Sequence, residues 1–185
     1  MSAIEFKNVV KTYPDFTVGP LDVSIKEGEF FGIFGPPSTG KTSVLRLILG
    51  LIEPDEGQII LNQQDASQLE VSERDVSMVF QNLALFPHMS GKDNIIFPLV
   101  ERNAPQTEIK ERLDFVSNVL HISHILHKNP AQMSGGERQR IALGRAFAAD
   151  GKAMLLDEPI AALDARLREE MRVELKRLQI ENNKT

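Results

Sequence analysis

Gly35-Pro36-Pro37-Ser38-Thr39-Gly40-Lys41-Thr42 lies between an apolar run at residues 29–34 and a segment with helical periodicity. The spacing G-x-x-x-x-G-K-[ST] asks for a strand, a phosphate-wrapping loop and a helix, in that order. Gly35 and Gly40 allow backbone shapes that a Cβ would block, so several amides can converge on phosphate oxygens. Lys41 adds a point charge, and Thr42 adds a hydroxyl suited to Mg²⁺. Pro36 and Pro37 have no amide hydrogen, so the cradle depends on Ser38, Thr39, Gly40, Lys41 and Thr42.

The rest of the chain fits the strand–loop–helix frame. Ile4, Phe6 and Val9 alternate with polar residues, as do Leu21, Val23 and Ile25, so two half-buried strands are predicted. The continuous apolar run 29–34 predicts a buried parallel strand. Val44, Leu45, Ile48 and Leu49 give one apolar face to a helix over residues 41–49, with Gly50 as its cap and Pro54 against continuation. Residues 57–61 and 76–80 predict further strands. From 83 to about 140 the periods are helical, including an amphipathic helix over 107–120 with Ile109, Leu113, Val116, Val119 and Leu120 on one side. Strand character returns at 153–156. A last helix begins near Asp164, with Leu167, Met171, Leu175 and Leu178 as a core stripe. The order implies an α/β fold with a parallel sheet.

A second phosphate seat is offered by Ser134-Gly135-Gly136-Glu137. S-x-x-E is also a capping box, and the two readings are compatible because a helix N-terminus attracts anions. Each glycine costs a helix about 1 kcal/mol relative to alanine, which close approach of a ligand would justify. Asp157 and Glu158 end an apolar strand. Such a pair is either solvated or placed for metal and water chemistry; beside a phosphate loop, Asp157 would hold Mg²⁺ through water and Glu158 would polarise the attacking water. Gln81, after the strand at 76–80, is either a surface residue or a contact to that metal or water. Tyr13, the one tyrosine, sits in a turn where it either packs or stacks on a base. His121, His124 and His127 lack a carboxylate at ligand spacing and are expected in packing with Ile122, Ile125 and Leu126 rather than as a metal site.

At 185 residues and net charge −5, the chain can bury a core and has no global basic character that would direct it to nucleic acid. The absence of cysteine excludes disulfides and thiol catalysis. The early acid and lack of a long apolar run at the N-terminus are unlike a signal peptide, and no run approaches the roughly 20 apolar residues of a membrane span. A soluble protein, with any membrane role supplied by a partner, is expected.

Taken in order, Tyr13, the loop at 35–42, Gln81, the run at 133–139, the acidic strand at 153–158 and Ala162-Leu163-Asp164 resemble the ATP-binding cassette (ABC) ATPase family over essentially the whole chain. Phe80-Gln81-Asn82-Leu83-Ala84-Leu85-Phe86-Pro87-His88-Met89 resembles the ATPase subunits of importers, especially those for sugars and related small solutes. The resemblance implies a P-loop NTPase core with a parallel sheet, an N-terminal antiparallel part and a helical insert. The ATP-binding core would comprise 1–82 and 141–185, and a helical subdomain 83–140. It implies ATP and Mg²⁺ as cofactors, with two cassettes head to tail and each ATP between the phosphate loop of one and the signature of the other.

Under the same resemblance, Tyr13 stacks on adenine, and Gly35, Ser38, Thr39, Gly40, Lys41, Thr42 and Ser43 hold the nucleotide. Ser134, Gly135, Gly136 and Glu137 hold the opposite cassette's nucleotide, and Asp164 contacts that cassette. Thr42, Gln81 and Asp157 serve the metal, and Glu158, Lys41 and Gln81 serve catalysis. The helical subdomain and the Gln81 loop would dock on transmembrane permease subunits, placing the protein in the cytoplasm against the inner membrane face. Three positions depart from the family pattern: Glu137 stands for the usual Gln, Ser38 for a third glycine, and a histidine expected beyond a further strand does not precede Thr185. The chain is therefore expected to be the N-terminal portion of a longer cassette lacking the later core strands. The alternatives are a nucleotide-binding module without turnover, or a soluble ABC ATPase of DNA repair or translation.

Overall fold

The computed structural model describes residues 2–160, 165–181 and 183–185. They fall into two compact units, 1–76 with 173–185, and 77–172.

In the first unit, alternating apolar residues build an antiparallel sheet. Strands β1 (Ser2–Thr12), β2 (Thr17–Lys26), β3 (Glu56–Leu61) and β4 (Gln64–Asp65) lie in the order β2-β1-β3-β4. Ile4 pairs with both Ile25 and Leu61, and Phe6 with Val23 and Ile59, so one face is continuously apolar. Asn8, at φ +50°, interrupts the alternation, and Val9 rather than Asn8 becomes fully buried. Helix α1 (Lys41–Leu49) has the predicted bounds and ends on Gly50 at φ +84°, whose amide bonds back to the Arg46 carbonyl at 2.9 Å. The buried Arg74 guanidinium donates to the carbonyls of Leu47 and Ile48 in the last turn of α1, at 3.1 and 3.0 Å.

Residues 29–34 are not a strand. Phe30, Phe31 and Phe34 are 51%, 44% and 93% exposed. An apolar run becomes a central strand only with ladder partners on both edges. Among the described residues, none of the strands pairs with this run.

In the second unit, β5 (Val76–Val79, its first residue belonging to the other unit) pairs with β6 (Ala153–Leu156), and the chain between them is helical. That intervening chain carries α2 (Gly91–Glu101), α3 (Gln106–Val119) and α4 (Gly135–Ala149). Ile95, Leu99, Leu120, Ile122, Ile125, Ile141 and Leu143 form its dry core. Gly144 permits the close approach of these helices: a Cβ there would lie 2.9 Å from Val116 Cγ1 and 3.3 Å from Ile95 Cδ1. The chain remains α/β, with the described part of its second sheet reduced to β5 and β6. Helix α5 (Ala165–Glu181) follows, with Met171, Leu175 and Leu178 buried as expected; the Leu167 side chain lies outside the described residues. The histidines at 121, 124 and 127 are exposed beside buried Ile122 and Ile125. Among the described residues no helix is long and apolar enough to cross a membrane.

Candidate functional site

The phosphate loop opens α1 differently from the starts of α2 and α4. Helix α2 starts on Ser90 with Asp93 in its first turn, and α4 on Ser134 with Glu137. Helix α1 starts on Gly40 with no capping side chain and no acid in its first turn. With no side chain capping it, the positive end of the helix dipole is turned to the loop and favours an anion. Gly40 sits at φ +90°, and a Cβ there would lie 2.3 Å from Val18 Cγ2. Lys41 turns into the loop, its Nζ donating to the carbonyls of Gly35 at 3.0 Å and Pro36 at 2.7 Å. Thr39 Oγ1 donates to the Pro36 carbonyl at 2.9 Å. Ser38 adopts φ +62°, a left-handed shape that explains why glycine suits this position better.

Tyr13 is half-buried, and its hydroxyl donates to Ser43 Oγ in the first turn of α1 at 3.0 Å. Phe16 stacks on its ring, with centroids 4.7 Å apart and planes at 14°. The turn thus offers an aromatic pair rather than a single ring.

In the second unit, β6 delivers Asp157 and Glu158 to opposite environments. Asp157 is buried, with its amide donating to the Val79 carbonyl of β5 at 3.0 Å. Glu158 is exposed at φ +49°, so the chain turns there and the carboxylate leaves the strand direction. Gln81 Nε2 donates to Glu158 Oε2 at 3.4 Å. Gln81 and Glu158 are thereby brought together. Asp164 lies outside the described residues, as do Ala162 and Leu163.

At the head of α4 the capping box is closed both ways. Ser134 N–H donates to Glu137 Oε2 at 2.6 Å, and Glu137 N–H donates to Ser134 Oγ at 3.2 Å. Lys128 Nζ donates to the other carboxylate oxygen at 2.8 Å. The Lys128 bond first and the Ser134 amide second hold the Glu137 carboxyl down at about 2, so it is ionised. A Cβ on Gly135 would meet nothing within 4 Å, so that face of the seat is open.

Several residues around these groups carry no local signal in the sequence. Asn94 is fully buried and binds the segment before α2, accepting from Phe86 N–H at 2.8 Å and donating to the carbonyls of Phe86, Met89 and Ser90 at 3.1, 3.2 and 3.0 Å. Arg145 of α4 donates to the carbonyls of Ala84 and Leu83 at 2.7 and 2.9 Å and lies 5.6 Å from the Phe86 ring centroid. Burial lowers the Arg145 pKa. The buried Gln139 donates to the Pro159 carbonyl. Their partners lie from 4 to 62 residues away.

These features fit a nucleotide phosphate at the head of α1, where a helix start without a side-chain cap, a glycine at φ +90° and a loop-directed ammonium come together. Thr42, Gln81 and Asp157, which the family resemblance assigns to Mg²⁺, each carry a side-chain oxygen, the ligand type a hard cation takes. Among the described residues no cluster of three His, Cys, Asp or Glu side chains forms a separate metal site.

A family model described as ABC transporter matches residues 18–161. The chain is 44% identical over 182 residues to the spermidine/putrescine import ATP-binding protein PotA of Chromobacterium violaceum, an alignment covering 98% of this chain and 50% of that protein. It is also 44% identical over 181 residues to the sn-glycerol-3-phosphate import ATP-binding protein UgpC of Rhizobium meliloti, covering 97% and 52%. The chain thus spans about half the length of the curated relatives it matches. Among solved structures, the ATP-binding cassette MJ0796, a dimer bound to ADP and Pi, aligns with a TM-score of 0.87 at 30% identity, covering 98% of this chain and 85% of that one. The phosphate loop, the acidic strand and the glycine-headed α4 fall within that match, and the chain belongs to the ABC transporter family as its ATP-binding domain.

Proposed function

We propose that the complete protein is the ATP-hydrolysing subunit of a solute importer, working as paired cassettes against membrane permease subunits on the cytoplasmic face. The observation that carries this reading is the start of α1, with no capping side chain, no first-turn acid and Lys41 turned into the loop. The import proteins among its relatives support the transport role. The two relatives are named for a polyamine and for a phosphorylated polyol, yet match equally well, so solute choice does not follow from this part of the protein.

In this reading Gly35, Ser38, Thr39, Gly40, Lys41, Thr42 and Ser43 hold the phosphates of ATP, and Tyr13 lies against the base. Thr42, Gln81 and Asp157 would hold Mg²⁺ through their side-chain oxygens, and the ion would offset charge developing on the phosphates. Glu158 takes a proton from the water that attacks the γ-phosphorus. The new oxygen–phosphorus bond forms as the bond to the bridging oxygen breaks, and ADP leaves with that electron pair. Ser134, Gly135, Gly136 and Glu137 complete the site of a second copy, and Asp164 faces that copy. The helical subdomain at 83–140, with the Gln81 loop, meets the permease, and 1–82 with 141–185 form the ATP-binding core. No observation favours a nucleic-acid-directed ATPase or a module without turnover.

The test is Glu158→Gln in the complete protein. Phosphate release is expected to fall by about 10²–10⁴-fold, the usual contribution of a general base, while ATP drives a stable dimer. Hydrolysis by that variant at the parent rate would overturn the assignment of the base.

A further inference from the structure

Glu137 puts a carboxylate where the family usually has a neutral amide, within the seat that would receive a phosphate. Held ionised between Lys128 and the Ser134 amide, it would repel an arriving polyphosphate unless its charge were offset nearby. Lys128 is the group in position to do so. Its Nζ lies 2.8 Å from Glu137 Oε1, with side-chain exposures of 31% and 15%, so water screens the pair only in part. The Lys128 backbone is fixed independently: its carbonyl accepts from Gly91 N–H, the first residue of α2, at 2.8 Å, and the Leu126 carbonyl accepts from Lys92 N–H at 2.9 Å. Lys128 therefore joins the head of α2 to the head of α4.

We infer that Lys128 is a positioning residue for the signature seat: its ammonium neutralises Glu137 and fixes the capping box so that the terminal phosphate of a second copy's ATP can approach Ser134 and Gly135. The inference rests on the head-to-tail pairing proposed above. It also says why Glu137 is tolerated in place of glutamine: the seat stays neutral as a pair rather than as a single residue.

The test measures the ATP concentration that half-maximally dimerises the complete protein in the Glu158→Gln background. Lys128→Met is expected to raise it about tenfold, a factor equal to about 1.4 kcal/mol, and Lys128→Arg to hold it within about threefold of the parent. Adding Lys128→Met to the Glu137→Gln background is expected to change it by less than about threefold, since no charge is then left to offset. Binding of a fluorescent ATP analogue to the monomer's phosphate loop reports folding separately and is expected to stay within about twofold across the series. An equal loss from Lys128→Met in both backgrounds would assign the lysine a packing role and overturn the inference, as would no loss in either. If the Glu158→Gln protein binds the analogue yet never dimerises with ATP, the paired-cassette reading fails and the inference falls with it.

Discussion

Gln81 Nε2 donates to Glu158 Oε2 at 3.4 Å, joining the end of β5 to the carboxylate after β6 across 77 residues of chain. The bond aims the exposed carboxylate with a neutral donor. Gln81→Ala is expected to lower turnover about tenfold, since a bond to a charged group contributes about 1.5 kcal/mol. Binding of ATP to the isolated phosphate loop is expected to be unchanged. An equal loss in nucleotide affinity and in turnover would assign Gln81 to binding instead.

Arg145 holds two carbonyls whose residues are in left-handed backbone, Leu83 at φ +62° and Ala84 at φ +45°. Such shapes cost a side-chain-bearing residue about 1–2 kcal/mol each, so the segment depends on its clamp. Arg145→Ala is expected to cost about 2–3 kcal/mol in denaturant unfolding, with amide exchange rising at 83–86. Arg145→Lys should recover less than half of that, because an ammonium cannot reproduce the fork.

The acid response of α4 follows from Glu137. Its carboxyl is lowered from 4.5 to about 2. A depressed acid contributes stability that is complete above its unfolded value and is lost as pH falls through its folded value. The difference in melting temperature between the parent and Glu137→Gln is therefore expected to be flat above about pH 5 and to shrink as pH falls toward about 2. A difference that persists unchanged into that range would show that the cap does not depend on charge.

Ser38 and Gly40 are neighbours in the same loop with opposite tolerances. Ser38→Gly relieves a left-handed residue of about 1 kcal/mol but adds about 0.5–1 kcal/mol of chain entropy, so stability should stay within about 0.5 kcal/mol. Gly40→Ala meets both a φ of +90° and a contact of 2.3 Å to Val18 Cγ2. It is expected to cost about 1–3 kcal/mol and to weaken ATP binding, read by unfolding and by titration of the analogue. A silent Gly40→Ala would contradict the cradle geometry.

What the sequence made legible was local. The bounds of α1, its glycine cap, the capping box at Ser134 and the strand leading to Asp157 each rest on residues within a few positions of one another. The run at 29–34 departs from the expected strand because a buried strand needs ladder partners, which an apolar pattern alone cannot supply. The clamp from Arg145 and the pair between Lys128 and Glu137 span 62 and 9 residues, beyond any period that marks a helix or strand. The site was therefore legible as separate pieces, and the supports that aim them appear only in three dimensions.

Gly144 gives the second unit a mechanical property. Val116 and Ile95 lie close enough to Gly144 that an added methyl group would force one of them to move, so α4 is tightly seated against its neighbours there. Close-packed interiors pass strain on to their neighbours, so a push received at the segment held by Asn94 and Arg145 is carried into the helix that Ser134 caps.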